Sequence, residues 1–304
     1  MVARIVVTGK EGQVARSLAE RGSAGSWEIV PLGRPELDLA RDPSAIITAI
    51  ADARPDIVVS AAANTAVDKA ESEPEHAFAV NERGAGAVAK GAQALNVPLI
   101  HLSTDYVFDG DKSSPYVETD VPGPAGVYGA SKLAGEKAVL KEQPDCAIIR
   151  TAWVYSPFGA NFVKTMLRLA AERDEVGVVA DQRGNPTSAL DIADGILAVA
   201  ANLRGNSEPA LRGIFHMTGS GEASWADFAE AIFAASAAAG GPSAAVKRIS
   251  TSDYPTAARR PANSRLDCAK LERVHGVRLP DWRLSAVDVV ARLVQGVKPG
   301  NRET

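Results

Sequence analysis

Cysteine is nearly absent from this chain of 304 residues: Cys146 and Cys268 are the only two. That is too few for a disulfide scaffold, so the fold must be held by a packed core. Histidine is also scarce. His76, His101, His216 and His275 are scattered without ligand spacing, which leaves no basis for a histidine-bound metal. No apolar run approaches the length of a membrane span, and the Ala-rich stretch from Ala229 to Ala239 fits a packed helix. Met-Val-Ala-Arg leads directly into Ile5-Val6-Val7 without the apolar region of a signal peptide, so a cytoplasmic location is expected. Excess positive charge is missing too. A formal charge of −4 gives no reason to expect nucleic-acid binding, and an anionic ligand needs a local positive site. With 46% hydrophobic and 23% charged residues, the composition is that of an ordinary folded protein.

What is present is an alternation of short apolar runs with helical segments. Arg4 to Thr8, Glu28 to Leu32, Asp56 to Ala63, Pro98 to Ser103 and Cys146 to Val154 read as strands. Several are apolar at consecutive positions, as expected of strands buried on both faces of a parallel sheet. Gly12 to Arg21, Pro43 to Ala53 and Glu75 to Leu95 carry helical spacing. The prediction is an α/β fold: a doubly wound parallel Rossmann sheet with a smaller, discontinuous α/β substrate-binding domain. Residues 1–154 are expected to form the dinucleotide-binding domain, with about 187–232 packing back on it, and 155–304 mainly the second domain. There, Val176 to Ala180 and Gly213 to Thr218 read as strands. Ser224 to Ala239 and Ser285 to Leu293 read as helices.

The first strand runs into Gly9-Lys10-Glu11-Gly12-Gln13-Val14-Ala15. Gly9 suits a tight turn, Gly12 lets a pyrophosphate approach the backbone, and the following helix start supplies free N–H groups. Such a turn at the first strand of an α/β chain points to a nicotinamide cofactor. After the second strand, Leu32-Gly33-Arg34 lacks the carboxylate that holds a ribose 2′-hydroxyl. Arg34 can pair with a 2′-phosphate, which favours NADPH and leaves NADH open, while Asp38 and Leu39 are placed for the adenine.

The sharpest pattern is Tyr128-Gly129-Ala130-Ser131-Lys132, preceded by Ser103-Thr104-Asp105. A lysine four residues after a tyrosine shares its helix face, and its ammonium charge is expected to lower the tyrosine pKa. Thr104 ends a buried strand, so its hydroxyl emerges at the carboxyl edge of the sheet beside the tyrosine. Tyr-x-x-x-Lys alone arises often by chance. The order of glycine loop, hydroxyl-ended fourth strand and tyrosine-lysine pair is what gives it meaning.

These residues resemble those of the extended short-chain dehydrogenase/reductase family, and within it the branch that reduces dTDP-linked 4-keto sugars. The likeness spans nearly the whole chain. It is carried by the glycine loop, Ala61 to Glu71, Ser103 to Phe108, Val127 to Glu136, Arg150 to Tyr155, Asn161 to Met166 and Arg260 to Arg265. The resemblance implies NAD(P)H-dependent reduction of dTDP-4-dehydro-6-deoxy-L-mannose at C4, with Tyr128 as proton donor. Lys132 would hold the nicotinamide ribose and Thr104 would orient the carbonyl. It further implies that Gly12, Gln13, Val14, Asp38, Leu39, Ala63, Asn64, Thr65 and Leu102 line the cofactor. Thr104, Asp105 and Trp153 would contact the sugar nucleotide, and Arg260 its diphosphate. Some members carry glutamates that bind Mg²⁺ at a dimer interface. The comparable positions here are Ser17 and Leu190, so no metal and a monomer or weak homodimer are expected. Two alternatives stay open: a nucleotide-sugar epimerase or reductase of another specificity, and a non-catalytic NADP-binding subunit like the regulatory subunit of methionine adenosyltransferase.

Overall fold

The computed structural model of the chain describes residues 2–23 and 27–296; the last residues of the expected second domain, 297–304, lie outside them. The elements run β1 (Ala3–Thr8), α1 (Gln13–Gly22), β2 (Trp27–Leu32), α2 (Pro43–Asp52), β3 (Ile57–Ser60), α3 (Val67–Ser72) and α4 (Pro74–Phe78). A single π turn, Ala79–Gly84, leads into α5 (Ala85–Ala94), followed by β4 (Leu99–Thr104), α6 (Val127–Glu142), β5 (Cys146–Thr151), β6 (Val154–Tyr155) and α7 (Phe162–Ala170). The remainder comprises β7 (Glu175–Val179), β8 (Arg183–Gly184), β9 (Thr187–Ser188), α8 (Ala189–Gly205) and β10 (Gly213–His216). It closes with β11 (Ala223–Ser224), α9 (Trp225–Ala238), β12 (Ala245–Ile249), α10 (Ala269–His275) and α11 (Trp282–Gly296).

Six strands form one parallel sheet in the order β10-β5-β4-β3-β1-β2. The consecutive apolar runs are explained by strand alternation. Ile5, Val7, Ile57, Val59, Ile100 and Leu102 enter one core, shared with α1 and α8. Val6, Val58, Leu99 and Ile148 enter the other, shared with α2, α5 and Val139 of α6. Both faces are therefore buried. Because β1 lies between β2 and β3, the chain leaves β1 to opposite sides, and the crevice of a doubly wound sheet opens at the carboxyl ends of β1 and β3. The segments after these strands are the glycine loop and Ala61 to Thr65.

A further core gathers α7, α9, α11 and the β7–β12 pair around Phe228, Ile232, Phe233 and Trp282. Ser224 starts α9 with a reciprocal capping box: its side chain accepts from the Asp227 backbone, and its own backbone N–H donates to the Asp227 carboxylate.

Besides smaller shifts, such as β10 ending at His216 and not Thr218 and α11 starting at Trp282 and not Ser285, three differences from the sequence reading have a visible cause. Glu75 to Leu95 is helical but is interrupted by the π turn at Ala79–Gly84, whose Asn81 is drawn inward. The third strand stops at Ser60, not Ala63, because the backbone N–H groups of Ala61 and Ala62 turn onto Thr8 Oγ1 at 3.1 and 3.0 Å. The fifth stops at Thr151, not Val154, since Trp153 takes a left-handed φ of 48° and the chain bends before β6.

Close approach around α6 depends on glycine. A Cβ on Gly135 would run into the Asn81 carbonyl oxygen, and one on Gly129 into that of Tyr106. Gly135→Ala should therefore lower stability by about 1–3 kcal/mol. Gly205→Ala, with open space around it, should be neutral or slightly stabilising. Urea melts of the two variants check the contrast.

Candidate active site

The glycine loop has the features of an anion cradle. Gly9 adopts a φ of 92°, and a Cβ there would lie 3.1 Å from Ala62 Cα. A Cβ on Gly12 would lie 3.1 Å from Gly9 O. Gly12 is the N-cap of α1, which has no side-chain cap and no acidic residue in its first turn. Its first N–H groups are thus left for a ligand. Val14 is half-buried against the first core. Beside this loop, Gly33 packs on Lys10, and Arg34 is exposed at the end of β2. The residues present fit a dinucleotide whose 2′-position carries a phosphate. Asp38 caps the Ala40 backbone at 3.0 Å, while Leu39 is buried against Gly84.

Ala63 and Asn64 are half-buried and Thr65 exposed on the stretch that leaves β3. Asn81 fixes this stretch. Its Oδ1 accepts from the Asn64 backbone at 2.8 Å, and its Nδ2 donates to Asn64 O and to Ser131 Oγ at 3.1 and 2.9 Å. Gln13, at the start of α1, is tied down through its carboxamide. Its Oε1 accepts from Ser156 Oγ at 2.8 Å and from Asn161 Nδ2 at 3.1 Å, tying the glycine loop to the segment after β6.

Thr104, Tyr128 and Lys132 come together at the carboxyl end of β4 and are buried. Lys132 Nζ donates to Leu102 O at 2.6 Å. Thr104 Oγ1 donates to Asp105 Oδ1 at 2.9 Å and accepts from the Tyr106 backbone at 3.2 Å. The Tyr106 and Tyr128 rings meet edge to face, 5.4 Å between centroids. The expectation that Lys132 lowers the Tyr128 pKa is not met. Burial, the leading influence, pushes Tyr128 above its ordinary value; the nearby Thr104 hydroxyl opposes this, and Asp105 adds to it. Lys132 itself is lowered to about 8 by burial, against the pull of Glu136.

Asp105 is 4% exposed, and its Oδ2 is a buried oxygen without a partner. Burial raises it to about 6, opposed by the nearby Ser264 and Thr104 hydroxyls. Trp153 stacks flat on Trp225, with centroids 3.6 Å apart, and Gly184 abuts its indole, so one ring face is already covered. Arg260 pairs with Asp68, reaches Tyr106 Oη at 3.4 Å and lines a cleft of about 450 Å³ together with Thr251, Tyr254 and Arg259. Ser17 donates to Gln13 O, and Leu190 is buried in the α9 core. Among the described residues no cluster of His, Cys, Asp or Glu has the make-up of a metal site.

With this geometry in hand, likeness to known proteins becomes informative. A family model described as the RmlD substrate binding domain matches residues 3–295. The chain belongs to this family. Among the relatives of this RmlD-type chain, a dTDP-4-dehydrorhamnose reductase of Sinorhizobium fredii is 55% identical, covering 96% of this chain and 99% of that protein. Its namesake from Escherichia coli K12 is 43% identical over 92% and 94%. A crystal structure of the Bacillus anthracis dTDP-4-dehydrorhamnose reductase in complex with NADP superimposes with a TM-score of 0.88 at 35% identity, over 96% of this chain and all of that one. More distant likeness, such as the 20% identity to the Thermus thermophilus UDP-glucose 4-epimerase, speaks to the fold alone.

Sequence reasoning missed Asn81, Ser264, Glu136 and Arg150, whose guanidinium pairs with the Glu136 carboxylate at 2.7 Å. Glu136 had a usable signal, since it extends the Tyr128–Lys132 spacing by a further four residues. The others are joined to the site only by tertiary contact.

The Asp105 shift carries a sign. Its folded pKa of about 6 exceeds the ordinary carboxyl value of 3.8, so the folded state binds more protons between these limits. Its contribution to stability therefore falls as pH rises from about 4 to 6. Asp105→Asn should remove that slope in melting temperatures measured across the interval.

Proposed function

We propose that this chain reduces the C4 keto group of dTDP-4-dehydro-6-deoxy-L-mannose to give dTDP-L-rhamnose, with NADPH or NADH as reductant. The convergence of Thr104, Tyr128 and Lys132 beside a glycine loop at the sheet's switch point carries the reading. The names of the RmlD-type relatives and the NADP in the Bacillus anthracis structure support the substrate and the cofactor.

A reduced nicotinamide, when bound, supplies the hydride. Gly9, Gly12, Gln13, Val14 and the α1 N-terminus would receive its pyrophosphate, with Arg34 near a 2′-phosphate, Asp38 and Leu39 near the adenine, and Ala63, Asn64, Thr65 and Leu102 along its length. Lys132 gives one N–H to Leu102 O, which leaves two donors for the hydroxyls of the nicotinamide ribose. A tyrosine with a raised pKa stays protonated at neutral pH, and reduction calls for a proton donor. Tyr128 delivers that proton to the sugar oxygen as negative charge develops on it. Thr104 has a single hydroxyl proton, now directed at Asp105, and must redirect it to hold the carbonyl. Asp105 and the open part of Trp153 border the sugar. Arg260 can exchange Asp68 for a diphosphate, since a guanidinium suits both anions. Residues 1–154 then serve as the dinucleotide-binding part and 155–304 mainly as the sugar-nucleotide part.

Tyr128→Phe tests the assignment. Removal of a positioned general acid should lower kcat by about 10²–10⁴ with cofactor affinity largely kept, read by nicotinamide absorbance and product identification. Intact turnover in this variant rejects Tyr128 as the proton donor. Cofactor oxidation without dTDP-L-rhamnose rejects the substrate.

A further inference from the structure

The sheet face beneath α6 changes character toward the carboxyl edge. At the level of Val58, Leu99 and Ile148 it is apolar and joins the core. Two residues further along the same strands and on the same face come Ser60, His101 and Arg150, and then Ser103, all buried. The helix answers with Ser131, Lys132 and Glu136, buried as well. Glu136 is 1% exposed and forms the centre of this polar layer. Its Oε1 accepts from Ser103 Oγ at 2.5 Å and from Arg150 Nε at 2.8 Å, while Oε2 accepts from Arg150 Nη2 at 2.7 Å. Arg150 lies over the Phe108 ring, 5.0 Å from its centroid.

Tyr128, Lys132 and Glu136 are spaced by four and share one side of α6. They engage three consecutive residues of β4: Tyr128 meets Thr104, Lys132 holds Leu102 O, and Glu136 holds Ser103. In β5, Arg150 and Thr151 are the register partners of Ser103 and Thr104, so Arg150 anchors the same point from the other side. A buried ion pair adds little net stability compared with apolar residues of the same volume, because both charges lose their hydration. Geometry is what this one supplies.

Resting on the reductase reading above, we propose that Glu136 is a positioning residue for the reduction, fixing Thr104 against Tyr128 by clamping Ser103 and Arg150. Glu136 touches neither substrate nor cofactor in this scheme. It acts by setting where the Thr104 hydroxyl stands relative to the Tyr128 proton, and small misplacement of reacting groups is costly in rate.

Ser103→Ala is the primary test, since it removes one hydrogen bond and leaves the Glu136–Arg150 pair intact. Glu136→Gln is the harsher companion; if it fails to fold, the serine variants still decide the matter. Turnover of NADPH with the dTDP-linked 4-keto sugar is measured per folded enzyme, counted by NADPH binding. The expected result for Ser103→Ala is a fall in kcat of about tenfold, as for loss of one charge-assisted hydrogen bond. KM for the sugar and Kd for NADPH should stay within about twofold. Ser103→Thr, which keeps a hydroxyl donor, should recover most of the lost rate. Unchanged kcat per folded enzyme, with only a lower melting temperature, overturns the proposal; so does a loss confined to KM. Absence of turnover in the unaltered chain overturns the reductase reading itself, which separates the two failures.

Discussion

Everything at the site depends on how closely α6 is allowed to approach the carboxyl end of β4. Gly129 removes the side chain that would hold the helix away from the Tyr106 carbonyl just after β4, and Gly135 does the same against the Asn81 carbonyl of the π turn. At that separation the lysine ammonium reaches a strand carbonyl, the glutamate reaches a strand hydroxyl, and the tyrosine meets the threonine. A helix one side-chain layer further out would present the same residues to the same strand without contact. The glycines thus give the tyrosine-lysine pair its meaning.

Burial sets the protonation states. With water excluded, the tyrosine resists ionisation and the lysine surrenders part of its basicity. The same dry environment leaves Asp105 holding its proton more tightly than an exposed carboxyl. Desolvation therefore displaces all three titratable groups toward their neutral forms.

The sheet was legible in the sequence because strands buried on both faces leave unbroken apolar runs, as Ile5-Val6-Val7 does. The glycine loop and the Tyr128–Lys132 spacing were legible because backbone conformation and helix geometry restrict residue type locally. What escaped was whatever is decided across the chain. The π turn has no periodic signature, and Asn81 on it looks like any helix-surface asparagine until it meets Asn64 and Ser131. The side-chain contacts of Gln13 were hidden too, since Ser156 and Asn161, more than 140 residues away, take up its carboxamide oxygen. The sign of the Tyr128 shift was missed for a similar reason: charge neighbours are visible in a helix pattern, whereas desolvation is not.

The indoles of Trp153 and Trp225 lie nearly parallel at 3.6 Å, and they belong to different parts of the molecule. Trp153 sits where the chain leaves the central sheet; Trp225 opens α9 in the other core. Two chromophores stacked across such a junction share their excited states, and that sharing decays steeply with separation. The protein consequently carries its own optical gauge of how the sheet and the α9 core are set against each other, with no label attached.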